Sequence, residues 1–80
     1  MKSKLNIKFS RHAKRRMKLY KLKHEDIKQV IHNGEQILKS KKIVYLLNLP
    51  KFKYPIKVVA ENEEDYLYII TAYPLKRGYK

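Results

Sequence analysis

The chain has 80 residues, of which 20 are Lys or Arg and 7 are Asp or Glu, so its formal net charge is +13 at pH 7. Apolar residues make up 44% of the chain, which is enough for a folded core and excludes a disordered basic tail. The absence of Cys excludes disulfides, thiolate catalysis and most structural zinc sites, and it makes the cytoplasm the expected compartment.

The first predicted elements are a short strand and a helix. Leu5, Ile7 and Phe9 alternate with polar residues, which is the period-2 pattern of a strand. Ser10 is a favourable N-cap for a helix over residues 11–20. One apolar stripe runs along this helix at spacings of four, four and three residues. The stripe consists of Phe9, Ala13, Met17 and Tyr20.

The solvent side of this first helix is strongly basic. His12 and Arg16 are four residues apart, so they lie together on the flank between the apolar stripe and solvent. A concentrated basic face is typical of contact with a nucleic-acid backbone. The helix lacks the bulky apolar face that inserts into a membrane surface, so no membrane partner is expected. The predicted nucleic-acid-binding residues are Arg11, Lys14, Arg15 and Lys18.

A second helix is predicted over residues 24–33. Glu25 and Asp26 lie in its first turn, where carboxylates favour the positive end of the helix dipole. Gly34 follows the last turn and predicts a left-handed C-terminal cap. The buried face of this helix is expected to be Ile27, Val30 and Ile31.

The remaining chain has the pattern of strands. Extended segments are predicted at 35–39, 42–49, 56–61 and 66–73, with an acidic turn at 62–65. Short connections between consecutive strands favour antiparallel pairing. We therefore expect one α+β domain over residues 1–80, with a short N-terminal strand and two helices packed on a three- to four-stranded antiparallel sheet. Its expected core residues are Ala13, Met17, Ile27, Val30, Ile31, Val58 and Ile69.

The sequence contains no recognisable metal or cofactor motif. Its three histidines, His12, His24 and His32, do not have the spacing of a metal-binding pair, and no Gly-rich phosphate loop is present, so we expect neither a metal nor a cofactor. Histidine, arginine, lysine and tyrosine are the residue types that metal-independent RNA cleavage requires. The alternative interpretation is structural: His12 is an ordinary surface residue, His24 and His32 serve the second helix, and the tyrosines are half-buried strand residues.

Four segments of the chain resemble a known family. They are the run Phe-Ser-Arg-His-Ala-Lys-Arg-Arg-Met at 9–17, His-Glu-Asp-Ile at 24–27, Asn-Gly-Glu at 33–35 and Thr-Ala-Tyr-Pro at 71–74. The pattern is similar to that of a family of small domains of unknown function. That family is in turn similar to the RelE- and ParE-type toxins and to barnase-like, metal-independent ribonucleases.

This resemblance implies a RelE-like fold and a ribonuclease activity. Carried over by position, it implies catalytic roles for His12, Arg16, Thr71 and Tyr73. It also implies that the protein is the toxin of a toxin–antitoxin pair, with RNA as substrate and an acidic antitoxin as protein partner. Two alternatives remain open on the sequence: a non-catalytic RNA- or DNA-binding module, and a protein-interaction domain whose charge serves solubility.

Overall fold

The computed structural model describes residues 6–75. Both helices have the bounds that the sequence predicts, and the α+β class is confirmed. Leu5, the start of the predicted first strand, lies outside the described residues. The elements in chain order are β1 (Ile7–Phe9), α1 (Arg11–Tyr20), α2 (His24–Asn33), β2 (Glu35–Lys39), β3 (Lys42–Leu47), β4 (Ile56–Asn62) and β5 (Leu67–Pro74).

The strands form one mixed sheet of five strands in the order β1-β5-β4-β3-β2. The prediction of a three- to four-stranded antiparallel sheet is therefore wrong in the number of strands and in the direction of one strand pairing. β2 to β5 pair antiparallel, but β1 joins the edge of β5 in parallel, with Ile7 opposite Leu67 and Phe9 opposite Ile69. The partner of β1 is distant in the chain, so no local sequence pattern indicates this pairing.

The starts of both helices are held by side chains. Ser10 is the N-cap of α1, and its hydroxyl accepts a hydrogen bond of 2.9 Å from the Ala13 amide. At α2 the Lys23 side chain makes no cap; instead the Asp26 carboxylate reaches back and accepts a 2.9 Å hydrogen bond from the Lys23 amide. Asp26 is buried and also forms an ion pair of 3.4 Å with Lys51.

Gly34 does not adopt the left-handed conformation that its position predicts. Its φ of −82° and ψ of 168° are extended, because β2 begins directly after α2. A Cβ at this position would meet the carbonyl oxygen of Val30, and that of Leu46 at 2.6 Å. Glycine is needed here because there is no room for a side chain between the end of α2 and strand β3.

The core lies between the two helices and one face of the sheet. α1 packs on β5 and β1, whereas α2 packs on β3 and β4. Six of the seven predicted core residues are buried; Ile31 is only partly buried and lies at the margin. Neither described helix has the length and apolar character needed to cross a membrane. The fully buried side chains at the centre are Ile27, Val30, Ile56, Val58 and Ile69.

Candidate nucleic-acid interface

Ser10 fixes the basic helix α1 beside strand β5. Its amide donates to the Ile69 carbonyl at 2.9 Å, and its hydroxyl donates to the Ile70 carbonyl at 2.8 Å while capping α1. One residue thus joins the start of α1 to the middle of β5. Ala13 and Met17 of α1 are buried, so the opposite, basic side of the helix is turned to solvent.

A β-bulge in β5 decides which residues of this strand face away from the helices. Thr71 pairs with Val59 and Ile69 pairs with Ala60, so Ile70 is an extra residue without a partner on β4. Uninterrupted alternation from the buried Ile69 would turn Thr71 and Tyr73 into the core. Because of the bulge, Ala72 is buried instead, and Thr71 and Tyr73 share the opposite face of the sheet. We call this helix-free side the open face.

Two cations meet the ring of Tyr73. The guanidinium carbon of Arg16 lies 5.9 Å from the ring centre, and Nζ of Lys57, the cross-strand neighbour of Tyr73, lies 5.8 Å from it. Both distances are within the range of a cation–π interaction. Arg16 also donates a long hydrogen bond of 3.5 Å to the Tyr20 hydroxyl. We call Arg16, Tyr20, Lys57 and Tyr73 the cation–aromatic cluster; all four residues are half-buried.

The cations of this cluster have no carboxylate partner within the described chain. Among residues 6–75, the single ion pair joins Lys51 to Asp26. Four of the seven acidic residues lie in the segment from Glu61 to Asp65, at the other end of β4 from Lys57. Arg16 and Lys57 therefore present a positive charge that is not neutralised by the described part of the chain, next to an aromatic ring.

The exposed side of α1 extends this positive surface. His12 is exposed one turn before Arg16, at the spacing of neighbours on a helix surface. No hydrogen bond or ion pair fixes its ring within residues 6–75. The predicted nucleic-acid-binding residues Arg11, Lys14, Arg15 and Lys18 are all exposed on the same helix.

The structure brings together some of the predicted site residues and leaves others apart. Arg16 lies within cation–π distance of Tyr73, whereas no hydrogen bond, ion pair or ring stacking within residues 6–75 joins His12 to either of them. Thr71 lies beside Tyr73 on the open face, but its Oγ1 is buried and has no hydrogen-bond partner among residues 6–75. Sequence reasoning missed Lys57, whose place beside Tyr73 depends on a strand register that only the fold supplies.

The other two histidines lie away from the cluster. His24, at the start of α2, stacks on Phe9 with ring centres 4.6 Å apart and planes inclined by 13°. His32 is exposed in the last turn of α2. In the part of the chain that the structure describes, no three histidine or acidic side chains lie close enough to hold a metal ion.

The cation–aromatic cluster is separate from the main concavity of the described surface. A concavity of about 560 Å³ lies at the far end of the sheet, lined by Leu38, Lys41 and Ile43 on one side and by Glu61 and Glu63 on the other. The carboxylates of Glu61 and Glu63 would repel an anionic ligand. The cation–aromatic cluster and α1, in contrast, form a broad positive surface that suits a polymer more than a small molecule.

The fold and the surface define the class of protein, which is a small α+β domain with a basic helix beside a mixed sheet. The model of one family, described as a domain of unknown function (DUF4258), matches residues 9–74. The chain belongs to this family. Comparison with curated proteins and with solved structures gives no match.

Proposed function

We propose that the protein binds single-stranded RNA on the open face and α1 and cleaves it without a metal ion. The observation that carries the proposal is the cation–aromatic cluster. It holds an arginine and a lysine against one tyrosine ring, with no carboxylate of residues 6–75 paired to either cation. The proposal also uses the resemblance of the sequence to RelE- and ParE-type toxins and to barnase-like ribonucleases.

Charge and aromatic rings together favour RNA as the ligand. Phosphate groups attract unpaired lysine and arginine side chains, and the counterions released on binding add to the affinity. Single-stranded RNA exposes its bases, which stack on aromatic rings and arginine planes. The ring of Tyr73 is half-buried and has a helix cation and a strand cation within 6 Å of its centre, so it is suited to a nucleotide whose phosphate contacts Arg16 and Lys57.

The residues around the cluster supply the groups for a transesterification. His12 takes the proton from a ribose 2′-hydroxyl, and the 2′-oxygen attacks the adjacent phosphorus. The bond to the 5′-oxygen breaks, Tyr73 gives that oxygen a proton, and a 2′,3′-cyclic phosphate forms. Arg16 and Lys57 stabilise the charge that builds on the phosphoryl oxygens. We give Thr71 a positioning role beside Tyr73, because its hydroxyl is buried away from solvent.

A second candidate function is RNA binding without cleavage. It is favoured by one observation: His12 is exposed and is not held by any hydrogen bond of residues 6–75. A catalytic base works best when it is positioned, so His12 acts only if bound RNA orders it. Both candidates use the same positive surface and differ only in what happens to the bound RNA.

Cleavage and binding are separated by one pair of measurements. Purified protein is incubated with end-labelled single-stranded RNA in the presence of EDTA, and affinity is measured in parallel by titration. We expect metal-free cleavage, and we expect His12→Ala to bind like wild type but to cleave about 10²–10⁴-fold more slowly. His32→Ala is the matched control, because it removes an exposed histidine from the other helix.

Each outcome decides between the candidates. If RNA is bound but stays intact, the catalytic proposal fails and RNA binding without cleavage is the remaining candidate. Cleavage by His12→Ala at the wild-type rate refutes the assignment of the base. RNA that is not bound at low salt refutes both candidates.

The toxin proposal adds a partner protein. An antitoxin that blocks this surface must carry carboxylates to meet Arg16, Lys57 and the basic side of α1, so we expect it to be acidic. We expect that production of the wild-type protein in a bacterial host slows growth, whereas production of His12→Ala does not. Normal growth with active wild-type protein contradicts the toxin proposal without touching RNA binding.

A further inference from the structure

Among the strands of residues 6–75, β2 has an open edge at one side of the sheet. It is the last strand in the sheet order, and all five of its residues are exposed. Open edges are often blocked by proline, by a bulge or by charged residues such as lysine, and the two charged residues of β2, Glu35 and Lys39, lie at its ends. β2 has no proline, its register with β3 is unbroken, and it exposes two large apolar side chains. Ile37 is 37% exposed and Leu38 is 70% exposed.

The sequence of β2 is complementary to its own reverse. It reads Glu-Gln-Ile-Leu-Lys from Glu35 to Lys39. If two copies pair antiparallel with Ile37 opposite Ile37, Glu35 of each copy faces Lys39 of the other. Because Glu35, Ile37 and Lys39 alternate along the strand, all three lie on one face of the sheet. An apolar pair is then flanked on both sides by ion pairs.

The hydrogen-bonding pattern of the hairpin fits the same register. β2 and β3 are joined by the two-residue turn Ser40-Lys41, in which Ser40 has a φ of 55°. Such a turn makes the flanking residues, Lys39 and Lys42, a hydrogen-bonded pair. Backbone groups alternate in direction along an antiparallel strand, so Gln36 and Leu38 turn their N–H and C=O groups to the free edge. In the Ile37-centred register, Gln36 of one copy lies opposite Leu38 of the other, and these free groups bond to each other.

We propose that the protein forms a symmetric homodimer through β2, with two copies paired antiparallel about Ile37. The two five-stranded sheets become one continuous sheet. The two-fold axis is perpendicular to this sheet, so both open faces lie on the same side. Strand β5 and its copy are then separated by seven strand spacings, a distance on the order of 30 Å. This proposal does not depend on RNA binding, although it places two cation–aromatic clusters on one surface.

Charge reversal in β2 tests the dimer and its register. Sedimentation equilibrium at about 150 mM salt measures whether the 9.7 kDa chain associates to twice that mass. We expect Glu35→Lys and Lys39→Glu each to weaken dimerisation about tenfold or more, because two ion pairs become two repulsions. The double variant with both substitutions restores the pairs and is expected to dimerise like wild type. Glu63→Lys, which makes the same charge change in an exposed turn, is the control.

The Lys39→Glu variant separates local pairing from overall charge. It lowers the net positive charge of the chain, which by itself favours association of two copies, yet the proposal predicts a weaker dimer. A wild-type chain that stays monomeric up to about 1 mM overturns the proposal. The proposal is also overturned if the single charge reversals weaken dimerisation no more than Glu63→Lys does, or if the double variant does not recover wild-type dimerisation.

Hydrogen exchange identifies the edge directly. In the monomer we expect the Ile37 amide to be protected by β3, and the amides of Gln36 and Leu38 to exchange freely. In the dimer we expect all three to be protected, so protection of Gln36 and Leu38 rises with protein concentration. A dimer in which these two amides remain unprotected uses another surface and refutes the proposal.

Discussion

Replacing Gly34 by alanine is expected to destabilise the domain through lack of space. The backbone conformation at Gly34 is one that any residue adopts, so alanine brings no conformational penalty. Its Cβ, however, meets two backbone carbonyl oxygens, one of Val30 in α2 and one of Leu46 in β3. Neither oxygen is the end of a flexible side chain, so α2 and β3 must move apart.

The cost of such overpacking is about 1–3 kcal/mol. For a domain of this size each kcal/mol lowers the melting temperature by about 4–8 °C, so we expect Gly34→Ala to melt at least about 5 °C below wild type. Thermal unfolding followed by circular dichroism measures the shift. The control is Asn33→Ala, which alters the exposed neighbouring residue and leaves this contact unchanged.

Gly34→Asn distinguishes this reasoning from the left-handed cap that the sequence suggests. A left-handed position tolerates asparagine better than alanine. A position without room for any Cβ tolerates asparagine no better than alanine. If Gly34→Ala melts with wild type, or if Gly34→Asn is clearly more stable than Gly34→Ala, the steric explanation is refuted.

Two further predictions concern the core. Met17→Asp places an unpaired carboxylate at a buried position of α1, which costs several kcal/mol, on the order of the stability of the whole domain; a circular-dichroism melt close to wild type contradicts the assigned buried face. Burial raises the pKa of the Tyr45 phenol above its usual value of 10.0. Its contribution to stability is therefore complete below about pH 10 and is lost as pH rises through the folded-state pKa. In urea unfolding at about pH 8 and pH 11, we expect Tyr45→Phe to lose less stability than wild type; equal losses refute the role of this phenol.

The two helices follow from local chemistry and are predictable from the sequence. Ser10 begins α1 through its own hydroxyl, and the spacing of Ala13 and Met17 determines which side is buried. Residues 24–33 combine early carboxylates with an apolar face in the same way. These signals act over three or four residues, so they can be recognised without knowledge of the fold.

The sheet depends on contacts that are distant in the chain. β1 has only three residues, and its pairing with β5 is supported by the Ser10 hydrogen bonds to Ile69 and Ile70. The bulge at Ile70 reverses which side of β5 is buried, and no glycine or proline marks it in the sequence. The glycine after α2 predicts a left-handed cap, but β2 begins at the next residue and keeps Gly34 extended; the crowding by Leu46 that makes glycine necessary there is visible only in the fold.

The candidate site could be predicted only in part. Arg16 and Tyr73 follow from the family resemblance, and the structure places the Arg16 guanidinium carbon 5.9 Å from the centre of the Tyr73 ring. Lys57 could not be found from sequence, because its register opposite Tyr73 is shifted by the bulge. The roles of His12 and Thr71 stay predictions, because within residues 6–75 neither side chain is hydrogen-bonded to the cation–aromatic cluster.

The central claim is that the cation–aromatic cluster binds RNA phosphates. It is tested by titrating a short single-stranded RNA at several salt concentrations with wild type, Arg16→Ala, Lys57→Ala and the control Lys28→Ala, which removes an exposed lysine from α2. We predict that the wild-type affinity falls steeply with salt. The slope of log affinity against log salt concentration is expected to be smaller by about 0.7 in Arg16→Ala and in Lys57→Ala for each phosphate that the variant no longer neutralises. Lys28→Ala is expected to keep the wild-type slope. Absence of binding at low salt, or equal slopes in all four proteins, contradicts the claim.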